Sequence, residues 1–269
     1  MRTERLDSVR ARYRQEAMRR GVSPRDVDLL LGDITGKPLA YLIAHGEEPV
    51  DGGALESMLQ RRWSGEPLQY IRGRTEFFSR QFLVDDRVLI PRPETEVLVE
   101  AAIARAPRGA RLVDIGTGSG CIAISIERSR PDLRVTGADI SLGALAVADR
   151  NRRRLESRVR LAAMSLLEAT RGGFDVIVSN PPYIAESEVA TLAAEVRDFE
   201  PRTALTPGPR GTEMIERIVS SAGGALLLLE IGFGQENAVR DLAVAHRFRN
   251  VELLNDLAGI PRVAVLSID

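Results

Sequence analysis

The spacing of apolar residues changes along the chain, and the changes mark its organisation. Over the first sixty or so residues the spacing is helical. Ser23 and Pro24 read as an N-cap and first helical position, Leu29, Leu30 and Leu31 supply the apolar side of the short helix that follows, and Gly32 and Gly36 punctuate its end. Asp51-Gly52-Gly53 breaks the chain again, and Leu55, Met58, Leu59 and Trp63 then recur at helical spacing. Between Gly65 and Ile90 the pattern shifts to short extended runs, Leu68 to Ile71 and Gln81 to Val84, bounded by Gly73 and Asp85-Asp86. These predict a β-hairpin joining two domains. Pro91-Arg92-Pro93-Glu94-Thr95-Glu96 then ends the strand and starts a helix with acids in its first turn.

From Ala110 onward strands and helices alternate. Strands are expected at 111–115, 134–139, 158–162, 174–179, 225–231, 251–255 and 262–268, and helices at 121–129, 142–154, 186–196, 211–221 and 234–246. Alternation with short turns means a largely parallel sheet covered on both faces, an α/β doubly wound, Rossmann-like domain. The last two strands are nearly adjacent, which predicts a reversed final strand. The expected domains are a small N-terminal helical domain at 1–64, a β-hairpin linker at 65–90 and the α/β domain at 91–269.

At 269 residues the chain has room for both domains, and 44% hydrophobic residues suffice for a sizeable core. The net charge of −1 excludes a bulk basic field for nucleic acid but leaves a local patch open. Cys121 is the only cysteine, so an intramolecular disulfide is excluded and a cysteine-built metal site is not expected. His45 and His246, the only histidines, lie far in sequence from the glycine-rich region and read as ordinary side chains, so no metal is expected. No 18-residue apolar run suggests a membrane span. The arginine-rich start contains Glu4, Asp7 and Glu16 and lacks an apolar stretch, which argues against a signal or transit peptide and for a cytoplasmic enzyme.

Two turns carry the chemistry. Asp114-Ile115-Gly116-Thr117-Gly118-Ser119-Gly120 follows an apolar strand and opens a helix at Cys121. Glycines there allow a tight turn and close approach of backbone to a ligand. The spacing is not that of dinucleotide binders, and the lysine of a nucleoside-triphosphate loop is missing. Asp139 ends the next strand, roughly twenty residues beyond the last glycine, where an acid can accept hydrogen bonds from ribose hydroxyls. Together these point to an adenosine-containing ligand; a plain structural turn and a solvated strand-end acid are the alternatives. Cys121 sits in a first helical turn, where a thiol can be activated, but with no base nearby it reads as a small buried filler.

The second turn, Asn180-Pro181-Pro182-Tyr183, ends the apolar strand Phe174 to Ser179. Ligands of open α/β sheets bind outside the carboxyl ends of the strands, so both turns should flank one crevice. The prolines fix the backbone. Asn180 can accept one N–H of a planar amide or amine and the Pro181 carbonyl the other, while Tyr183 offers a flat face. The catalytic candidates are therefore Asn180, Pro181 and Tyr183, with Pro182 completing the substrate-binding turn.

With these motifs the chain resembles the PrmC (HemK) release factor glutamine methyltransferases over nearly its whole length. Gly65-Glu66-Pro67-Leu68-Gln69-Tyr70-Ile71, Ile90 to Glu96, Glu200-Pro201, Glu230-Ile231-Gly232, Asp256-Leu257-Ala258-Gly259 and Pro261-Arg262 match as well. The resemblance implies a seven-stranded methyltransferase domain and transfer of a methyl group from S-adenosyl-L-methionine to the glutamine amide of the Gly-Gly-Gln motif in class I peptide-chain release factors. It implies cofactor contacts from Asp114, Gly116, Thr117, Gly118, Ser119, Gly120, Asp139 and Asn180, and a monomer whose N-terminal helices dock the substrate. Where the family usually shows an acid and an aromatic residue near the adenine, this chain has Met164 and Ser165. Ser165 is the candidate cofactor position there, with main chain or water as the expected contact. The family's usual stretch at Gly208-Pro209-Arg210-Gly211-Thr212 is also altered.

Enzymes that methylate an exocyclic amine of adenine or guanine in DNA or RNA, or a ribosomal-protein glutamine, use the same turn. Arg150, Arg152, Arg153 and Arg154 are either a phosphate-binding patch or the solvated face of a helix. The net charge and the Pro91–Glu96 segment favour the protein substrate. A non-enzymatic adaptor built on the N-terminal helices is a third class.

Overall fold

Consecutive residues of the inner strands point to opposite sides of one sheet, and both sides are apolar. Leu112, Val176 and Val178 pack with Ile122, Ile124 and Ile126 on one side; Val113, Ile177 and Leu227 pack with Ile215, Ile218 and Val239 on the other. Each such side chain, fully buried, contributes about 1.5–3 kcal/mol. The computed structural model describes residues 3–165 and 173–268. The chain forms two units, one running to Gly73 and including Ala194–Phe199, the other formed by Arg74–Ala193 and the chain from Glu200.

The first unit is helical. Strands β1 (Thr3–Arg5) and β2 (Pro49–Asp51) pair antiparallel, and helices Leu6–Arg19, Pro24–Thr35, Leu39–Ala44, Gly52–Trp63 and Leu68–Arg72 enclose an apolar cluster around Leu30, Leu31, Leu55 and Leu59. The Ser23 hydroxyl caps its helix by accepting from the Arg25 N–H at 3.2 Å, and Gly36 closes it in the left-handed conformation at φ 68°. Two buried acids are matched by arginines: Arg62 donates to Asp26 at 2.8 Å and Arg10 to Asp28 at 2.7 Å. A buried carboxylate left unpaired would oppose folding.

In the second unit, β3 (Arg74–Phe77) and β4 (Arg80–Leu83) form a hairpin whose two turn residues, Phe78 and Ser79, have φ of 48° and 56°. Two left-handed residues are what a two-residue turn needs to match the twist of its strands. The extended run expected at Leu68 to Ile71 is corrected: Leu68–Arg72 is a helical turn ended by Gly73 at φ 68°. Leu68 and Ile71, three apart, both pack on the helical cluster, so their spacing is that of a helix. The helix expected at 186–196 is also corrected. A 3₁₀ turn spans Glu186–Thr191, Leu192 is extended, and a separate helix, Ala194–Phe199, belongs to the first unit. The Thr191 hydroxyl donates to the Glu188 carbonyl at 2.7 Å, a local bond that competes with helix continuation.

The main sheet contains β5 (Arg111–Ile115), β6 (Arg134–Asp139), β7 (Arg160–Ala163), β8 (Val176–Ser179), β9 (Leu226–Glu230), β10 (Asn250–Asn255) and β11 (Pro261–Ser267), in the order β10-β11-β9-β8-β5-β6-β7. Only β11 runs antiparallel to its neighbours, as the short β10–β11 connection predicts. From β5 the chain winds outward through β6 and β7, then returns to β8 on the other side. The strand order therefore reverses beside β5, and the crevice expected at such a point lies at the carboxyl ends of β5 and β8.

Asn151, fully buried in helix Leu142–Arg154, braces this point. Its amide donates to the carbonyls of Leu83 and Ser119, both at 2.9 Å, and its Oδ1 accepts from the Leu83 N–H at 2.7 Å. One side chain thus ties the hairpin edge to the glycine turn. Asn151→Ala strands backbone groups at both places, buried at Ser119 and half-buried at Leu83, and is expected to lower stability by about 1–3 kcal/mol. Urea denaturation reads this directly, and an unchanged midpoint would contradict the bracing role.

Candidate active site

The glycine turn is folded by its own neighbours. The N–H groups of Gly116 and Thr117 both donate to the Ala138 carbonyl, at 2.9 and 3.0 Å, which pulls the exit of β5 against β6. The Thr117 hydroxyl turns inward and donates to Asp114 Oδ2 at 2.6 Å. Room for it exists because residue 137 is glycine; a Cβ there would sit 2.8 Å from Thr117 Oγ1. Gly120 at φ 80° starts the helix Cys121–Ser129, and a Cβ on it would press on Ile124 and Ala148. Asp139 accepts from the Gly118 N–H and the Ser141 N–H, both at 2.9 Å, so its carboxylate is held at the strand end.

A cavity of about 470 Å³ lies along these turns, at the carboxyl ends of β5, β6 and β8. Small-molecule sites commonly fall between about 300 and 1,000 Å³. Gly116, Thr117, Gly118, Ser119, Asp139 and Ser165 line it, as do Asn180, Pro181 and Pro182. The two expected turns therefore share one space. Asp114, Gly120 and Tyr183 are not among the lining residues. Asp114 is fully buried beneath the turn, where burial pushes its carboxyl up to about 7 against the opposing hydrogen bond from Thr117. Burial likewise pushes the Cys121 thiol up to about 12, in keeping with a filler and not a nucleophile.

The Asn180–Tyr183 turn is held from three sides. Asn180 Nδ2 donates to the Thr95 hydroxyl at 3.2 Å, which leaves its side-chain carbonyl to accept. The Tyr183 phenol donates to Glu230 Oε1 at 3.3 Å, and its backbone carbonyl accepts from Gln235 Nε2 at 3.0 Å. Burial, then the charge of Glu230, raise the phenol well above its ordinary value. The segment 205–211 braces the exit of the turn. Ile184 N–H donates to the Leu205 carbonyl, Glu186 N–H to the Gly208 carbonyl, and a Cβ on Gly211 would fall 2.5 Å from the Tyr183 carbonyl. This is the stretch whose sequence departs from the family pattern, and its glycines are used for close approach.

Sequence reasoning missed one wall. Pro91, Arg92, Thr95 and Pro201 line the cavity, and buried Glu200 joins their segments by accepting from the Ile90 N–H at 3.3 Å and pairing with Arg92. Their only signal was the match of Ile90 to Glu96 and of Glu200-Pro201, which named no role. Arg150, Arg152, Arg153 and Arg154 resolve as a surface helix face. Arg152 and Arg153 pair with Asp149, Arg150 with Asp85, and Arg154 with Gln81. Among the described residues no helix is long and apolar enough to cross a membrane.

Comparison with known proteins agrees with this geometry. Residues 10–73 match the PrmC N-terminal domain family and residues 93–207 the Methyltransferase small domain family. A release factor glutamine methyltransferase of Koribacter versatilis is 41% identical over 256 residues, covering 90% of this chain and 91% of that one. One from Salmonella typhimurium is 41% identical over 250 residues, covering 89% and 90%. A methyltransferase structure from Pyrococcus furiosus, 17% identical, superposes with a TM-score of 0.51 over 70% of this chain and 88% of that one, a likeness of fold alone. By sequence the chain belongs to the release factor glutamine methyltransferase family.

Proposed function

We propose that this chain transfers a methyl group from S-adenosyl-L-methionine to the side-chain amide nitrogen of a release-factor glutamine, the one in the Gly-Gly-Gln motif of class I factors. The observation that carries the proposal is the pair of acceptors at the cavity wall, the Asn180 side-chain carbonyl and the Pro181 main chain, beside a glycine turn that ends in a held carboxylate. S-adenosylmethionine is the methyl donor of this family, and the residues present fit it. No Cβ obstructs the backbone at Gly116, and Asp139 retains lone pairs for ribose hydroxyls beyond the two N–H groups it already accepts. Bound, it supplies an electrophilic methyl group on a sulfonium.

The rest falls to the protein. An amide nitrogen is a poor nucleophile because its lone pair is delocalised. Asn180 takes one amide N–H and the Pro181 carbonyl the other, which holds the nitrogen's lone-pair side toward the methyl group. The same two acceptors stabilise positive charge that develops on nitrogen during attack. No base is needed before attack, since the methylated nitrogen becomes acidic and loses its proton late. Tyr183 contributes through its anchorage under the turn, and Pro182 stiffens it. Positioning supplies most of the acceleration. The N-terminal helical unit docks the body of the release factor, the enzyme acts as a monomer, and it works in the cytoplasm, where its substrate is used.

Asp139→Ala is expected to weaken binding of S-adenosylmethionine and of its demethylated product in calorimetry. Ser165→Ala is expected to leave both nearly unchanged. Equal affinity for the Asp139 variant removes that residue from the site, and a loss beyond about 1.4 kcal/mol, a tenfold effect, at Ser165 makes its side chain a contact.

Asn180→Ala is expected to reduce turnover about 100-fold or more, the scale for losing a preorganised polar contact to the reacting centre. Cofactor affinity should fall far less. Labelled cofactor should mark an intact release factor well, a short free peptide poorly because remote contacts are gone, and DNA or RNA not at all. Strong labelling of nucleic acid beside an unlabelled release factor would overturn the glutamine assignment.

A further inference from the structure

The cavity described above lies at the carboxyl ends of the parallel strands. Their amino ends gather positive charge. β5, β6 and β7 each begin with an arginine, Arg111, Arg134 and Arg160. Arg111 and Arg134 are register partners on neighbouring strands, and Arg160 is the partner of Thr136, two residues beyond Arg134. Two steps along a strand return to the same face. All three side chains therefore leave one face of the sheet, the face on which Val113 and Ala138 are packed. Neighbouring strands of a sheet are about 4.8 Å apart, so the three form a row.

Like charges in a row repel one another, and acids threaded among them would relieve the strain. Acids are close by, but they are committed to other donors. Asp132 takes two N–H groups of Arg130, both at 2.8 Å. Glu127 accepts from the Ser157 hydroxyl at 2.8 Å and from Arg158 Nε at 3.0 Å. Asp175 accepts from the main-chain N–H of Arg111 at 2.7 Å. Among the described residues, no ion pair or side-chain hydrogen bond engages the guanidinium of Arg111, Arg134 or Arg160. Arg111 lies over the Phe174 ring, 6.0 Å from its centre, a contact that uses none of its N–H groups as donors to oxygen.

The three arginines, together with Arg158, Glu127 and Asp132, wall a hollow of about 790 Å³. We propose that this hollow is an anion site that takes consecutive phosphate groups. An arginine offers paired N–H donors in a planar fork that matches phosphate oxygens, and a row of three suits a row of anions. The net charge of −1 leaves room for a local basic patch. That patch is not the helix face of Arg150, Arg152 and Arg153, whose charges meet Asp85 and Asp149. It is the row whose charges meet no acid. Consecutive phosphates come from a free polyphosphate or from the backbone of a single RNA strand, and both present the same oxygens. The site goes beyond the function proposed above. RNA held there stays at the opposite end of the strands from methyl transfer, and so is bound without being labelled.

The test uses the full chain saturated with the demethylated cofactor, which closes the other cavity to phosphates. Calorimetry measures binding of inorganic tripolyphosphate and, separately, of a short single-stranded RNA. Binding should weaken steeply as salt is added. Arg134→Gln and Arg160→Gln should each weaken it about tenfold or more, the scale of a lost charge-assisted hydrogen bond. Arg153→Gln, on the paired helix face, should leave it unchanged. Binding of tripolyphosphate alone names a compact polyphosphate as the source, binding of RNA alone names the nucleic-acid backbone, and binding of both a site that accepts either. Binding of neither probe overturns the proposal, as does binding that survives Arg134→Gln and Arg160→Gln or is lost equally in Arg153→Gln. Urea denaturation gives a second reading. With no probe present, Arg134→Gln removes one of three repelling charges and should leave the midpoint unchanged or raise it. A bound probe should raise the wild-type midpoint and leave that of the variant in place. A lower midpoint for Arg134→Gln without probe makes the row a structural element and overturns the proposal too.

Discussion

β5 is packed by apolar side chains on both faces, so no reacting group can be placed along it. What remains free is its carboxyl end, where the strand order reverses between β6 and β8. Everything functional in the second unit follows from this restriction. The chain must leave β5 in a tight glycine turn because a helix has to begin at once on the covered face. It must leave β8 in a stiff turn because the next residues face the same cavity. Gly137 and Gly120 are small so that Thr117 and the helix Leu142–Arg154 can close in on the first turn.

Polar groups at such an edge need partners, and the partners here carry information. Asp114 lies under the glycine turn and Glu230 under the Asn180–Tyr183 turn, both almost wholly buried, and burial raises both to about 7. A folded-state value above the unfolded one means that the folded protein binds the proton more tightly. The resulting stabilisation is complete below the unfolded carboxylate value and is lost as pH rises through about 7. Around and above neutrality these acids therefore work against stability. Each accepts from one hydroxyl of its turn, Asp114 from Thr117 and Glu230 from Tyr183.

The two turns were legible in the sequence because each is a short contiguous segment with strong local rules, glycines for left-handed backbone and prolines for rigidity after an apolar strand. The seven strands followed from period and spacing, and the near adjacency of the last two suited a methyltransferase sheet with a reversed final strand. The supports of the site were not legible. Thr95 meets Asn180 across 85 positions, and Tyr183 meets Glu230 across 47. No local pattern announces such a pairing; Glu230-Ile231-Gly232 stood only as a matching stretch and Thr95 was one residue of an acidic helix start. Tyr183 was read as a flat face for substrate; that its phenol also donates to Glu230 beneath the turn was not legible. Leu68 to Ile71 was misread for a simpler reason, since four apolar and polar residues fit either period until Pro67 and Gly73 are weighed as the ends of a helical turn.

The central claim is that the cavity edge selects a planar amide nitrogen by presenting acceptors to both of its hydrogens. Fragment mass spectrometry of an intact release factor after incubation with the wild-type chain and S-adenosylmethionine addresses it most directly, because it reports the modified atom and not only transfer. The account predicts a single methyl group on the side-chain nitrogen of the glutamine in the Gly-Gly-Gln segment. A methyl group on a carboxylate, a main-chain nitrogen or a different residue would contradict it.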